Sequence, residues 1–140
     1  GGLTAGIALA VKERNPRASV IGVQPEGSNA TYLSFKAGTI VSIPETRTIC
    51  DALTATRPGT LMFSVIQRYV DDIVLVTDEA VAEAVAWLAR EEKLVVEPSG
   101  AVGIAALRSG RVTPHGPTVA LLSGGNIAPT RLAEILTSKA

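Results

Sequence analysis

The sequence predicts an α/β domain built as a parallel sheet flanked by helices, and three observations carry that reading. Runs such as Ile73-Val74-Leu75-Val76 are apolar on both faces, as strands are when helices cover the sheet on two sides. Stretches of helical period separate these runs along the chain. At 46% hydrophobic and a mean hydropathy of +0.31, the 140 residues can bury a core of their own.

Taken in order, Leu3, Ile7 and Val11 recur at helical spacing from Gly1-Gly2, and Pro16 stops the pattern, predicting an amphipathic helix. Ser19-Val20-Ile21-Gly22-Val23-Gln24 is a β-branched run ended by Pro25, which reads as a buried strand. A short helix fits Ser28 to Phe35, closed by Ala37-Gly38 through a glycine able to turn left-handed. Residues 39–59 hold Pro44 and Pro58 and keep no period, so they read as a long connection that could line a site. Leu61, Val65 and Ile66 restore a helical stripe before Asp71-Asp72. The strand Ile73–Val76 follows, then Thr77-Asp78-Glu79 as a cap with an acidic first turn, and a helix through Val81, Val85 and Leu88 to Arg90. Leu94-Val95-Val96 is a short apolar run. Pro98-Ser99-Gly100 opens an alanine-rich helix to about Leu107. Thr118–Leu122 reads as the last strand, Ser123-Gly124-Gly125-Asn126 as a turn, and Pro129 as the opening of the final helix. With about three convincing strands, the sheet is expected to be incomplete.

Composition narrows the ligand. The 13 basic and 13 acidic residues cancel, so no net field recruits nucleic acid or an anionic membrane. Aromatic residues make up 4% and sit singly, Trp87 among them, which leaves no base-stacking platform. No apolar run reaches the length of a membrane span. The lone Cys50 excludes an internal disulfide and fits a reducing cytoplasm. A small-molecule ligand is therefore expected. His115, between Pro114 and Gly116, has no Ser or Cys placed for a relay and reads as a surface residue.

In parallel α/β folds, ligands bind beyond the carboxyl ends of the strands, where loops enter helices. Two glycine-rich segments fall at such places. Gly1-Gly2 precedes a helix, whose unpaired N–H groups and positive dipole end suit a phosphate. Ser123-Gly124-Gly125-Asn126 follows a predicted strand. A G-x-G-x-x-G after a strand, the mark of a dinucleotide site, is absent, and Gln24 stands where an acidic residue would be needed.

With their surroundings these segments resemble the fold-type II pyridoxal-phosphate (PLP) enzymes, specifically the threonine/serine ammonia-lyases (dehydratases) and serine racemases. Gly1-Gly2-Leu3-Thr4-Ala5-Gly6-Ile7-Ala8 looks like the tail of the family's tetraglycine loop. Val96-Glu97-Pro98-Ser99-Gly100-Ala101 and Leu122-Ser123-Gly124-Gly125-Asn126 look like two later motifs, in family order. Thr48-Ile49-Cys50-Asp51, Pro58-Gly59 and Val70-Asp71-Asp72 match intermediate stretches. The resemblance spans nearly the whole chain and implies the C-terminal portion of the large PLP-binding domain, of the tryptophan synthase β type. The Schiff-base lysine and the small domain are then expected upstream, so no catalytic residue is assigned within residues 1–140.

By position, the resemblance makes Gly1, Gly2 and Leu3 the end of the phosphate cradle. It makes Ser123 the partner of the pyridine nitrogen with Gly124 beside it, and places Glu97 in the shell around the cofactor. A neutral serine cannot hold that nitrogen protonated, which favours β-elimination. Glu97 also has a local reading as a carboxylate satisfied by backbone amides near a helix start. Lys36 sits in Ser34-Phe35-Lys36, a copy of the family's Schiff-base core, but it follows the glycine loop that the cofactor lysine should precede, and reads as a solvated helix-end lysine. Relatives with a divalent cation site carry acids where this chain has Gln24 and Ala30, so no metal is expected there. The family glycine after the T-I-A-D run is Ala52.

The implied activity of an intact protein is deamination of threonine or serine to a 2-oxo acid and ammonia. Serine racemase and 3-hydroxyaspartate ammonia-lyase activities are the near alternatives. A rival of another class is a non-catalytic fragment that only packs or assembles. The exposed edge of an incomplete sheet would favour self-association of such a fragment, and a homo-oligomer is the expected state of the protein.

Overall fold

A computed structural model describes residues 1–138. Its elements are α1 (Gly2–Arg14), β1 (Ile21–Pro25), α2 (Ala30–Ala37), α3 (Thr60–Tyr69), β2 (Asp72–Val76), α4 (Asp78–Trp87), α5 (Pro98–Arg108) and α6 (Pro129–Thr137). Short 3-10 turns cover Glu26–Ser28 and Asp51–Leu53, and a π turn covers Leu88–Glu92. The strands pair in parallel, with Ile21 opposite Asp72 and Pro25 opposite Val76.

Each face of this sheet carries its own core. Ile73 points to the α1/α3 side and packs with Ala5, Ala8, Ile66 and Val70. Val23, Val74 and Val76 point the other way, against Val81, Ala84 and Val85 of α4 and Ala101 and Ala105 of α5. Alternation along the strand produces this division. Gly22 lies beneath α1, where a Cβ would stand 3.2 Å from Ile73 Cγ1 and 3.7 Å from Thr4 Cγ2. The helix sits close because that side chain is missing.

Several elements form as the sequence predicts. Gly38 ends α2 in the left-handed region at φ 70°, and the Thr77 hydroxyl caps α4 by accepting from the Ala80 N–H at 3.2 Å. Others differ. In α1 the buried residues are Ala5 and Ala8, while Leu3 is 57% exposed, so the leucine stripe is not the core face. Small residues win that face because α1 lies tight on α3 and the sheet. Thr118–Leu122 is not a strand, and the apolar run Leu94–Val96 joins no sheet, since among the described residues the sheet contains only β1 and β2. Residues 120 and 121 run past α5 at Gly103, and with no ladder partner Val119 is left 93% exposed. The helix expected to reach Arg90 widens after Trp87 into the π turn, which Lys93 closes at φ 59°.

Candidate functional site

Chain direction places the glycine motifs. A helix joining two parallel strands runs antiparallel to them. α3 runs into β2, α4 leaves the end of β2 at Asp78, and Lys12 near the end of α1 pairs with Asp71 just before β2 at 2.7 Å, so the amino ends of α1, α3 and α4 lie at the carboxyl edge of the sheet. Gly1 caps α1 with no side-chain hydrogen bond, and the first backbone bond of the helix runs from the Ala5 N–H to the Gly1 carbonyl at 3.0 Å. The N–H groups of Gly2, Leu3 and Thr4 precede that bond and have no helical acceptor, which is the donor set a phosphate takes. Gly1 lies against α3, where a Cβ would be 2.9 Å from Ile66 Cδ1.

Residues 47–53 cross the same edge and are tied down at several points. The Arg47 N–H donates to the Gly27 carbonyl at 2.8 Å, just past the end of β1. The Asp78 carboxylate, at the start of α4, accepts from the Thr48 hydroxyl at 2.5 Å and from the Ile49 N–H at 2.9 Å. The Ala52 N–H donates to Ser99 Oγ at 3.1 Å, and Ser28 Oγ donates to the Leu53 carbonyl at 2.5 Å. Because this loop touches the starts of both α4 and α5, the amino end of α5 also lies at the carboxyl edge. Cys50, within this loop, is fully buried, and that burial pushes its thiol up to about 11.

The amino end of α5 meets the serine turn. The Glu97 N–H donates to the Gly124 carbonyl and the Asn126 N–H donates to Glu97 Oε2, each at 3.0 Å. A Cβ on Gly124 would lie 2.5 Å from Glu97 Oε1, and one on Gly100 would lie 2.8 Å from the Gly124 carbonyl oxygen. Ser123 stands exposed at the start of this turn. Ile49, Asp51, Glu97, Pro98, Asn126 and Arg131 line a shallow cleft of about 170 Å3 here.

Thus Glu97, Ser123, Gly124 and Asn126 come together. Of these, Glu97 and Asn126 line the cleft; Ser123 and Gly124 do not, and neither do Gly1, Gly2 and Leu3, which share the sheet edge. Lys36 lies elsewhere. It ends α2 and pairs with Asp72, the first residue of β2, at 2.7 Å, which puts it at the amino edge of the sheet. The Asp72 hydrogen bond pushes the Lys36 ammonium up and the Asp72 carboxyl down. The Gln24 side-chain oxygen accepts from the Tyr32 N–H at 2.8 Å and so serves α2, and Ala30 is fully buried. Among the described residues, no three His, Cys, Asp or Glu side chains cluster as metal ligands. His115 is exposed, and Trp87 stacks under Arg108 at 4.7 Å. The sequence reading missed the Asp78 clamp and the Ser99 contact. Their partners lie 30 and 47 residues away, beyond any local pattern.

A family described as pyridoxal-phosphate dependent enzyme matches residues 1–124. The chain belongs to that family. An L-threonine ammonia-lyase of Geobacter sulfurreducens is 44% identical over 128 residues, covering 91% of this chain and 32% of that protein. Among solved structures, a threonine deaminase from T.th. superposes with a TM-score of 0.83 at 38% identity, covering 91% of this chain and 47% of that one. Maize serine racemase superposes with a TM-score of 0.87 at 34% identity, covering 96% and 42%. The fold is that of the fold-type II PLP enzymes, and the chain spans less than half the length of each of these relatives.

Two separate features suit parts of the PLP cofactor. The three free amides at the start of α1 suit its phosphate, and the exposed Ser123 hydroxyl suits its ring nitrogen. The turn's close packing on Glu97 requires glycine at 124.

Proposed function

We propose that residues 1–140 form the C-terminal portion of the large domain of a PLP-dependent ammonia-lyase acting on L-threonine or L-serine, and that a Schiff-base lysine and the small domain lie outside this chain. The observation that carries the reading is the serine turn, held by Glu97 at the carboxyl edge of the sheet where α1 also presents free amides. The names of the threonine ammonia-lyase and threonine deaminase relatives supply the substrate class. A small amino-acid substrate, a homo-oligomeric state and a cytoplasmic setting belong to the same proposal. No helix among the described residues is long and apolar enough to cross a membrane.

In this reading the Gly2, Leu3 and Thr4 amides bind the cofactor phosphate and Ser123 accepts or donates a hydrogen bond at the ring nitrogen. When bound, PLP supplies an electron sink for the charge left on the substrate α-carbon. Ser123 cannot keep the ring nitrogen charged as a carboxylate would, so it limits that sink and favours loss of a β-hydroxyl. Asp78 and Ser99 fix the loop whose Asp51 and Ile49 wall the cleft.

The test is the complete protein incubated with L-threonine and L-serine, following ammonia and 2-oxo acid together. Release of both, lost in a Ser123→Asp variant that still folds, is the expected result. Inversion of serine without ammonia release would favour the racemase reading, for which the maize structure speaks. Absence of any turnover, with no PLP absorbance, would leave only a structural unit.

A further inference from the structure

Resting on the reading of the 123–126 turn as a wall of the cofactor crevice, we propose that Glu97 is a positioning residue whose carboxylate shapes the turn presenting Ser123. Residues 95–97 and 124–126 lie side by side, and the contacts between them are made by backbone and by this carboxylate. The Glu97 N–H is spent on the Gly124 carbonyl and its own carbonyl on the Gly100 N–H, at 3.0 and 2.9 Å, so the residue is fixed from both sides. Its side chain then reaches across to the Asn126 N–H at 3.0 Å. Three glycines make that approach possible. A Cβ at Gly124 would lie 2.5 Å from Glu97 Oε1, one at Gly125 would lie 2.9 Å from the Val95 carbonyl oxygen, and one at Gly100 would lie 2.9 Å from the Gly124 N. One oxygen thus takes the Asn126 amide while the other packs on Gly124, which is the geometry of an acceptor closing a backbone turn.

The inference separates acceptor from charge. Glu97→Gln keeps an oxygen at full reach, Glu97→Asp keeps the charge but falls short, and Glu97→Ala has neither. The 140-residue chain is labelled for amide NMR without ligand, and hydrogen exchange is read at Asn126. Exchange is expected to speed up about 10-fold in the Ala and Asp variants, as loss of one charge-assisted bond predicts, and to stay within about 3-fold of wild type in the Gln variant. Binding of pyridoxine 5′-phosphate, which has no aldehyde to react with lysines, is expected to follow the same order. Should the Ala variant not fold, the Asp variant carries the comparison. Unchanged Asn126 exchange in the Asp variant would overturn the proposal, as would ligand binding lost equally in the Gln and Asp variants. If Asn126 responds as expected but wild type ignores the ligand, the cofactor reading fails and the hold of Glu97 on the turn stands.

Discussion

A methyl group at Gly27 would collide with the Arg47 backbone carbonyl, and neither side of that contact is a flexible side chain. Gly27→Ala is therefore expected to cost about 3 kcal/mol in chemical denaturation, the upper range for an overpacked site. Cys50 makes a second prediction through its thiol. Well below pH 9 the thiol is neutral whether folded or unfolded and contributes nothing to the pH dependence. Above that, the unfolded chain releases the proton while the folded one holds it to about 11, so stability falls as pH rises through this interval. At about 1.4 kcal/mol per pH unit the loss reaches roughly 2 to 3 kcal/mol. Cys50→Ala should lack this part of the alkaline slope when the two proteins are compared by urea melts at pH 8 and pH 11. At this scale the sequence shows local codes and hides distant ones. Thr77 was legible as a cap because its acceptor role lies three residues away, whereas Asp78 beside it acts on Thr48 and Ile49.

Among the elements, the two glycine motifs were readable because each marks a helix start or a tight turn, and the structure puts both at the carboxyl edge of the sheet. The opening helix was legible as a helix but not in its facing, because the period of Leu3, Ile7 and Val11 competes with that of Ala5 and Ala8, and close packing favours the alanines. Thr118–Leu122 has the composition of a strand, but a strand also needs a neighbour, which composition cannot supply. The long irregular segment 39–59 reads as a connection, and only the fold shows that its second half is clamped. Asp78→Ala should leave the Ile49 N–H and the Thr48 hydroxyl without their acceptor and cost about 2 to 3 kcal/mol, with Asp78→Asn recovering part of it, as measured by urea denaturation. Lys36→Ala, at the opposite edge, should leave any cofactor binding unchanged in an absorbance titration.

Across the described residues, β1 and β2 form a two-stranded sheet with helices on both faces, and segments 94–96 and 118–122 expose Leu94, Val95, Val119 and Leu121. An apolar surface of this kind favours association. Sedimentation of the 140-residue chain should show concentration-dependent self-association that Val119→Lys with Leu121→Lys reduces. The family was legible because its motifs are loop chemistry, fixed by what glycine, proline and serine alone can do in a turn. The number of strands was not, since pairing is a property of the fold. The most direct measurement of the central claim is an amide NMR titration of this chain with pyridoxine 5′-phosphate, with inorganic phosphate alongside. The account predicts that Gly2 and Leu3 shift together with Ser123 and Gly124 under one dissociation constant, while phosphate alone moves only the first pair. Shifts confined to one of the two segments, or two unrelated constants, would contradict it.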